Sequence, residues 1–153
     1  MRYEVVQRKE TKVVGLEERT NNLAPDMSAK IGGLWQKFYT PEVCPGITER
    51  VNEKAVCLYT DYAEKEKGDY TVVVACEVEK AGQIPAGCVV RTIPAGRYAK
   101  FVIHGHMVQA VQEFWQKLWE MDLPRSFVCD FEEYQNADME HAEIHIYISL
   151  KEE

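Results

Sequence analysis

The helical stretch MSAKIGGLWQKFY (27–39) recurs as MVQAVQEFWQKLW (107–119), at a constant offset of 80 residues. In both stretches the apolar residues have the spacing of one buried helix face, and a tryptophan occupies the same position. Related stretches at a fixed separation are typical of a duplicated structural unit. The pattern therefore predicts two helices in corresponding places of two related halves.

Two strand-like stretches also repeat, at an offset of 72 residues. CLYTDY (57–62) matches CDFEEY (129–134), and TVVVACEV (71–78) matches EIHIYISL (143–150). The offset is constant within each element and changes only in a loop between elements, as expected when a duplicated unit acquires loops of different length. A boundary between two such halves is a common place for a ligand pocket.

The offset of 72 also matches individual residues of the two halves. It makes Tyr62 the counterpart of Tyr134, and it makes Thr60 the counterpart of Glu132. Structural duplication does not explain why one half carries a threonine where the other carries a glutamate. This difference marks Glu132 for closer attention.

The remaining patterns complete each half. Strands are predicted at 3–8, 12–18, 55–62, 70–78, 88–93, 97–105, 127–134 and 143–150, and helices at about 27–39 and 107–121. The first two strands of each half are separated by a short turn, as in a hairpin. The predicted fold is α+β, with two tandem strand-helix-strand-strand repeats related by a pseudo-twofold. The sheet is antiparallel-dominated, and both helices lie on one face. We expect a single domain, 1–153, with repeat halves at about 1–80 and 88–151.

The composition excludes several classes of partner. The chain has 18 basic and 25 acidic residues, a net charge of −7, and no basic run, so nucleic acid and anionic membranes are not expected to bind directly. Its five cysteines have no metal-ligand spacing, which favours free thiols in a reducing cytoplasm. The start of the chain lacks a signal-peptide core, and the apolar runs are strand-sized, so no membrane span is expected.

Glu132 is the candidate functional residue that the strand pattern indicates. In FVCDFEEY (127–134), alternation places Glu132 on one strand face with Asp130 and Tyr134. A carboxylate beside a tyrosine suits a cationic ligand, because the ring face attracts a cation and the carboxylate supplies the counter-charge. The same alternation is typical of a solvated sheet face, so the pattern leaves both interpretations open.

The helix aromatics divide into two groups. Trp35 and Trp115 fall on the core-facing stripe, which favours a packing role, whereas Tyr39 and Trp119 occupy matching helix ends and are placed to line a cleft. The glycine pair at 32–33 weakens the first helix by roughly 1 kcal/mol per glycine. Such a pair predicts that something packs closely against the backbone at that point.

The histidines do not indicate a metal site. His104 and His106 have a spacing that places two imidazoles on one strand face, but no cysteine or acidic residue follows at a recognised metal spacing. Neither a metal nor a cofactor is therefore expected. The chain also has no glycine-rich phosphate loop and no serine in the context of a nucleophile elbow.

Four segments together resemble the GyrI-like, or AraC-type effector-binding, domain family. They are IPAGRYAKFVIHG (93–105), the tryptophan-bearing helix that follows it, FEEY (131–134) and AEIHIYISLK (142–151). The similarity covers nearly the whole chain, including YEVVQRKETKVVGLEERT (3–20). It implies two repeats with a groove between them that binds small organic ligands, often hydrophobic cations. The last strand departs from the family pattern at Ser149, where relatives usually have proline.

The resemblance also implies a set of site residues. Glu132 corresponds to the family's buried, ligand-facing glutamate. The implied aromatic pocket consists of Tyr134, Trp35, Tyr39, Tyr62 and Trp119.

These observations favour a stand-alone, cytoplasmic small-molecule-binding protein, related to transcription regulators and multidrug binders. It is expected to hold a hydrophobic or cationic aromatic ligand between the repeats, for sensing or sequestration. Two alternatives stay open. One is a hydrolase that opens electrophilic cyclopropanes, in which Glu132 acts as general base or orients a water, and Tyr134 or a tryptophan holds the substrate. The other is a protein-interaction module of the gyrase-inhibitor type, with a protein partner.

Overall fold

The structure is a computed structural model that describes residues 1–65 and 67–152. The strands are β1 (Glu4–Arg8), β2 (Thr11–Thr20), β3 (Arg50–Thr60), β4 (Tyr70–Val78), β5 (Val89–Ile93), β6 (Gly96–Gly105), β7 (Cys129–Tyr134) and β8 (Ala142–Ser149). The two α-helices are α1 (Met27–Phe38) and α2 (Met107–Trp119), and a 3-10 helix spans Cys44–Gly46. Each predicted element is therefore present within a few residues of its expected position.

The strands of the described residues form one antiparallel sheet, in the order β1-β6-β8-β7-β3-β4-β2-β5. The order is symmetric about the β7–β3 pair, because β3-β4-β2 on one side corresponds to β7-β8-β6 on the other. Each half is therefore strand, helix, strand, strand: β2-α1-β3-β4 and β6-α2-β7-β8. The predicted α+β class and the duplicated architecture are confirmed.

The strand that precedes each repeat, β1 or β5, pairs with the opposite half, and the hairpins predicted from the short turns are wrong. β1 pairs with β6, and β5 pairs with β2. Only residues 9–10 connect β1 to β2, although these strands lie near opposite ends of the sheet order. A link that short spans about 10 Å at most. The sheet must therefore curl until its ends approach each other, and it forms a half-barrel.

Both faces of the curled sheet are buried. One face packs against the helices through Leu34 and Phe38 of α1 and Phe114 and Leu118 of α2. The other face is enclosed by the curl and has its own core, which includes Leu58, Tyr98, Phe131 and Tyr147. Side chains alone fill a small barrel, so this enclosed face has no room for a helix. The part of β7 that carries Glu132 is thus covered on both sides.

The ladders correct the residue matches within β3 and β7. Cys57 pairs with Val74 of β4, and Glu132 pairs with Ile146 of β8. Val74 and Ile146 are counterparts at the offset of 72, so the counterpart of Glu132 is Cys57 and not Thr60. By the same ladders Tyr134 corresponds to Tyr59 and not to Tyr62. The offset of 72 aligned β3 with β7 out of register by an odd number of residues. An odd shift moves every side chain of a strand to the opposite face.

The glycine pair in α1 does not mark a close contact. A Cβ atom added at Gly32 or Gly33 would meet nothing within 4 Å. The close approach is instead at Gly15 of β2, where an added Cβ would overlap the Val74 carbonyl oxygen and the backbone of Ala75. The absence of a side chain is therefore a packing requirement at Gly15 and not at Gly33.

Gly15→Ala is expected to lower the free energy of unfolding by about 1–3 kcal/mol, the usual cost of overpacking a core. Gly33→Ala is expected to raise it by about 0.5–1 kcal/mol, because alanine loses less backbone entropy in a helix. Urea unfolding of both variants and the wild type measures the two changes. Changes of the same sign would contradict this account of the two glycines.

Candidate ligand-binding site

Glu132 lies where the two halves meet. It pairs across the β3–β7 ladder with Cys57, which is also its counterpart in the duplicated unit, so this pair lies on the pseudo-twofold. Its side chain points to the helix-covered face and is only 1% exposed. The solvated-face interpretation of this residue is therefore wrong.

Three side chains donate hydrogen bonds to the Glu132 carboxylate. The Tyr134 hydroxyl donates to Oε1 at 2.7 Å, and the Tyr59 hydroxyl donates to Oε2 at 2.9 Å. The Trp115 indole Nε1 also donates to Oε2, at 2.8 Å. Because Tyr59 and Tyr134 are counterparts, each half supplies one equivalent tyrosine to one carboxylate oxygen.

The carboxylate has hydrogen-bond donors but no counter-charge in the protein. Among residues 1–65 and 67–152, no lysine, arginine or histidine forms an ion pair with Glu132. Burial raises the pKa of the Glu132 carboxyl above its ordinary value, and the three hydrogen bonds act against that rise because they favour the charged form. Burial also raises the pKa of the Tyr59 and Tyr134 hydroxyls well above the ordinary value, so both keep their protons and donate.

Aromatic rings surround the carboxylate in a nearly symmetric arrangement. Trp35 meets the Tyr134 ring edge-on, with centroids 5.0 Å apart, and Trp115 meets Tyr59 in the same way at 5.3 Å. Each tryptophan thus packs on the tyrosine of the opposite half. Such edge-to-face pairs stabilise by more than their buried area alone. The symmetry is broken at one bond, since of the two tryptophans only Trp115 donates to Glu132.

Tyr39 and Trp119 lie at the matching ends of the two helices and are 59% and 48% exposed. Tyr39 stacks on Trp35, with centroids 6.1 Å apart, and so joins the aromatic cluster from outside. Trp119 has no ring contact with another aromatic residue in the described part of the chain. Neither residue is among the described side chains that donate a hydrogen bond to Glu132.

Tyr62 belongs to a second buried carboxylate. Its hydroxyl donates to Asp130 Oδ2 at 2.6 Å, and Arg125 forms an ion pair with the same oxygen at 2.7 Å. The backbone N–H of Ser149 donates to Asp130 Oδ1 at 2.9 Å. A proline at position 149 could not make this bond, so the departure from the family pattern noted in the sequence has a structural consequence.

The structure brings together two of the six predicted site residues directly, namely Glu132 and Tyr134. Trp35 adjoins them through the Tyr134 ring, whereas Tyr39, Tyr62 and Trp119 lie further out. Sequence reasoning missed Tyr59 and Trp115, both of which contact Glu132. The correct β3–β7 register would have indicated Tyr59 as the counterpart of Tyr134. No sequence signal distinguishes Trp115 from a core residue.

Other parts of the surface are separate from this cluster. A groove of about 330 Å³ lies between α1 and β2, where Leu16, Glu18 and Lys37 help to line it.

His104 and His145 both contact Glu143, and no group of three potential metal ligands is found among the described residues. None of the described helices is long and apolar enough to cross a bilayer.

Known proteins resemble this chain over nearly its whole length. The family model of integron-associated effector-binding proteins, Cass2, matches residues 4–150. YobU of Bacillus subtilis (strain 168), a candidate transcriptional regulator, is 30% identical over 144 residues, which are 90% of each chain. An integron cassette protein from the mobile metagenome of Vibrio cholerae has a TM-score of 0.80 at 30% identity, covering 97% of this chain and 95% of its own.

A further structure, of SAV2435 bound to tetraphenylphosphonium, has a TM-score of 0.81 at 20% identity and covers 99% of this chain and 94% of its own. The predicted resemblance to GyrI-like effector-binding domains is confirmed. The chain belongs to the family of integron-associated effector-binding proteins.

Proposed function

We propose that the protein binds a hydrophobic, aromatic cation whose positive charge is balanced by Glu132. The observation that carries this proposal is the buried Glu132 carboxylate, which accepts three hydrogen bonds and has no cationic partner among the described residues. Hydrogen bonds alone leave its charge uncompensated in a region of low dielectric. A ligand cation would supply the missing charge, and the attraction is strong where water is excluded.

The surrounding rings suit the rest of such a ligand. Trp35, Tyr59, Trp115 and Tyr134 present aromatic surface from both halves, and a delocalised cation is attracted to ring faces as well as to the carboxylate. The relative SAV2435, which has the same fold, was solved with the aromatic cation tetraphenylphosphonium. This supports the ligand class, and the two tryptophans and two tyrosines would form the walls of the pocket.

Ligand entry requires the rings to move, because Glu132 is almost completely covered in this structure. Trp35 and Tyr39 are the rings best placed to move, since they stack on each other at the end of α1 and do not donate to Glu132. Trp119 would flank the opposite side of the entrance. Tyr62 would form an outer wall through its position beside Asp130.

The biological role that we propose is sensing or sequestration of such compounds, with binding and no turnover. A thermal-shift screen of aromatic cations, run beside product analysis with electrophilic cyclopropanes, separates this role from hydrolysis. Stabilisation without product supports binding. Steady product formation that depends on Glu132 would instead favour the hydrolase.

Glu132→Gln is expected to weaken binding of tetraphenylphosphonium by about 1–3 kcal/mol, the range for loss of a charge-assisted interaction. Binding of a neutral aromatic compound of similar shape should change much less. Isothermal titration calorimetry of both ligands measures the difference. The variant should remain folded, because glutamine keeps the size of the side chain and removes a costly buried charge.

Glu133→Gln is the matched control for this substitution. Glu133 is the next residue of β7 but points to the opposite face, where it lies 3.8 Å from the Lys54 ammonium. The control should therefore bind the cation like the wild type. Equal binding by the two variants, or unfolding of Glu132→Gln, would show that Glu132 has a structural role only.

Cation binding should also depend on pH through Glu132. Burial raises the pKa of this carboxyl in the folded protein, so it gains a proton, and loses its charge, at a higher pH than an ordinary carboxyl. Affinity for tetraphenylphosphonium should fall as the pH drops through that raised pKa, by up to about tenfold per pH unit below it. Titrations between neutral pH and mildly acidic pH measure the decline. A similar decline in Glu132→Gln would assign the pH dependence to another group.

The stability of the unliganded protein should change with pH in the opposite sense. A carboxyl whose pKa is higher in the folded than in the unfolded state binds more protons when folded, so its contribution favours folding at low pH and is lost as the pH rises through the raised pKa. The free energy of unfolding of the wild type, relative to Glu132→Gln, should therefore decrease over that interval. Parallel stability curves for the two proteins would contradict the raised pKa.

A further inference from the structure

Two buried carboxylates lie side by side on the helix-covered face of β7. Asp130 and Glu132 are separated by one residue, so they point to the same side of the strand, with Cα atoms about 7 Å apart. Asp130 is 0% exposed and Glu132 is 1% exposed. The two side chains are thus equally buried, but only one of the two carboxylates has a counter-charge in the described part of the protein.

Asp130 is neutralised within the protein. Arg125 pairs with its Oδ2 at 2.7 Å, and the Arg125 side chain is itself only 10% exposed. The guanidinium also lies over the Phe127 ring, 4.1 Å from the centroid, which fixes its position. Asp130 also accepts hydrogen bonds from the Tyr62 hydroxyl and from both the backbone N–H and the hydroxyl of Ser149. Glu132, in contrast, has neutral donors only.

A continuous series of rings connects the two carboxylates. Tyr59, which donates to Glu132, lies 5.8 Å from Tyr70, and Tyr70 lies 6.0 Å from Tyr62, which donates to Asp130. All three tyrosines pack against the same helix-side core. A flat aromatic ligand that reaches Glu132 along these rings would therefore place any second substituent near the Asp130–Arg125 pair.

We propose that Arg125 determines how many positive charges a ligand of this site carries, and restricts the site to monocations. The inference rests on the proposed function of Glu132. Arg125 neutralises Asp130, so a second ligand cation would find no free carboxylate there and would be repelled by the guanidinium. Without Arg125 the same pocket would contain two hydrogen-bonded carboxylates with no counter-charge from the protein, and it would favour dications.

Ethidium and propidium test this proposal, because they share one phenanthridinium ring system and carry one and two positive charges. The wild type should bind propidium no more tightly than ethidium. Arg125→Met should shift the ratio of the two affinities toward propidium by roughly tenfold, since a second buried carboxylate becomes available. Fluorescence titration at fixed ionic strength measures both affinities on the same protein sample.

Three further variants make the outcome decisive. Asp130→Asn leaves Arg125 without its counter-charge, so both dyes should bind more weakly and propidium should lose more. Arg125→Met combined with Asp130→Asn should return the affinity ratio to that of the wild type. Lys54→Met removes one positive charge on the opposite sheet face, beside Glu133, and should leave the ratio unchanged.

Each outcome of these titrations either supports the proposed role of Arg125 or overturns it. A folded Arg125→Met with the wild-type ratio overturns the role of Arg125 while leaving Glu132 as the cation site. If Arg125→Met does not fold, Asp130→Asn gives the answer, and an unchanged ratio in that variant overturns the proposal. If the wild type binds neither dye, nor tetraphenylphosphonium, the proposed function fails and the inference fails with it.

Discussion

The arrangement of the site follows from one constraint, the burial of a single carboxylate on the pseudo-twofold. A charged side chain with almost no exposure is unfavourable unless donors replace the water that it has lost. Here the two halves each contribute a tyrosine hydroxyl, and α2 adds the Trp115 indole. The hydrogen bonds therefore join β3, β7 and α2 at the point where the repeats meet. The boundary between the halves and the candidate site are the same set of contacts.

The curled sheet makes this burial possible. Exchange of β1 and β5 between the halves draws the ends of the sheet together and encloses a core on the face without helices. The central strands β3 and β7 are then covered on one face by the enclosed core and on the other by the helix-side residues. Side chains on both faces of β7 are buried as a result, which is why a polar residue in this strand must be fully hydrogen-bonded.

The two halves form a nearly symmetric arrangement of rings, but the pair of residues on the axis differs between them. The Trp35–Tyr134 and Trp115–Tyr59 contacts are equivalent in geometry and cross from one half to the other. The ladder pair on the axis is not equivalent, since it consists of a thiol in one half and a carboxylate in the other. Side chains from both halves can donate hydrogen bonds to a single charge on the axis, whereas two charges there would repel each other. The asymmetry at this pair is therefore compatible with a symmetric aromatic wall.

The sequence by itself determined the class of fold, the duplication and the two helices, and it indicated Glu132 as the candidate site residue. These features follow from local periodicity and from similarity between stretches at fixed offsets, which are properties of neighbouring residues. The sequence did not determine that β1 and β5 exchange between halves, because strand pairing at long range depends on the curl of the whole sheet. It also gave the wrong counterpart for Glu132, since a match between short strands does not fix which face each residue occupies.

Only the tertiary structure decided which side chains meet the carboxylate. Trp115 had the pattern of a core residue, but Tyr59 and Trp115 are both only partly buried against the core, and both donate to Glu132. The sequence match made Tyr62 the counterpart of Tyr134, but β3 ends at Thr60 and the Tyr62 hydroxyl donates to Asp130 instead. Arg125 and Asp130 are five residues apart across an irregular segment, and no periodicity predicts their ion pair. Local pattern identifies what a residue is suited to do, but contact between elements far apart in the chain depends on how the halves pack together.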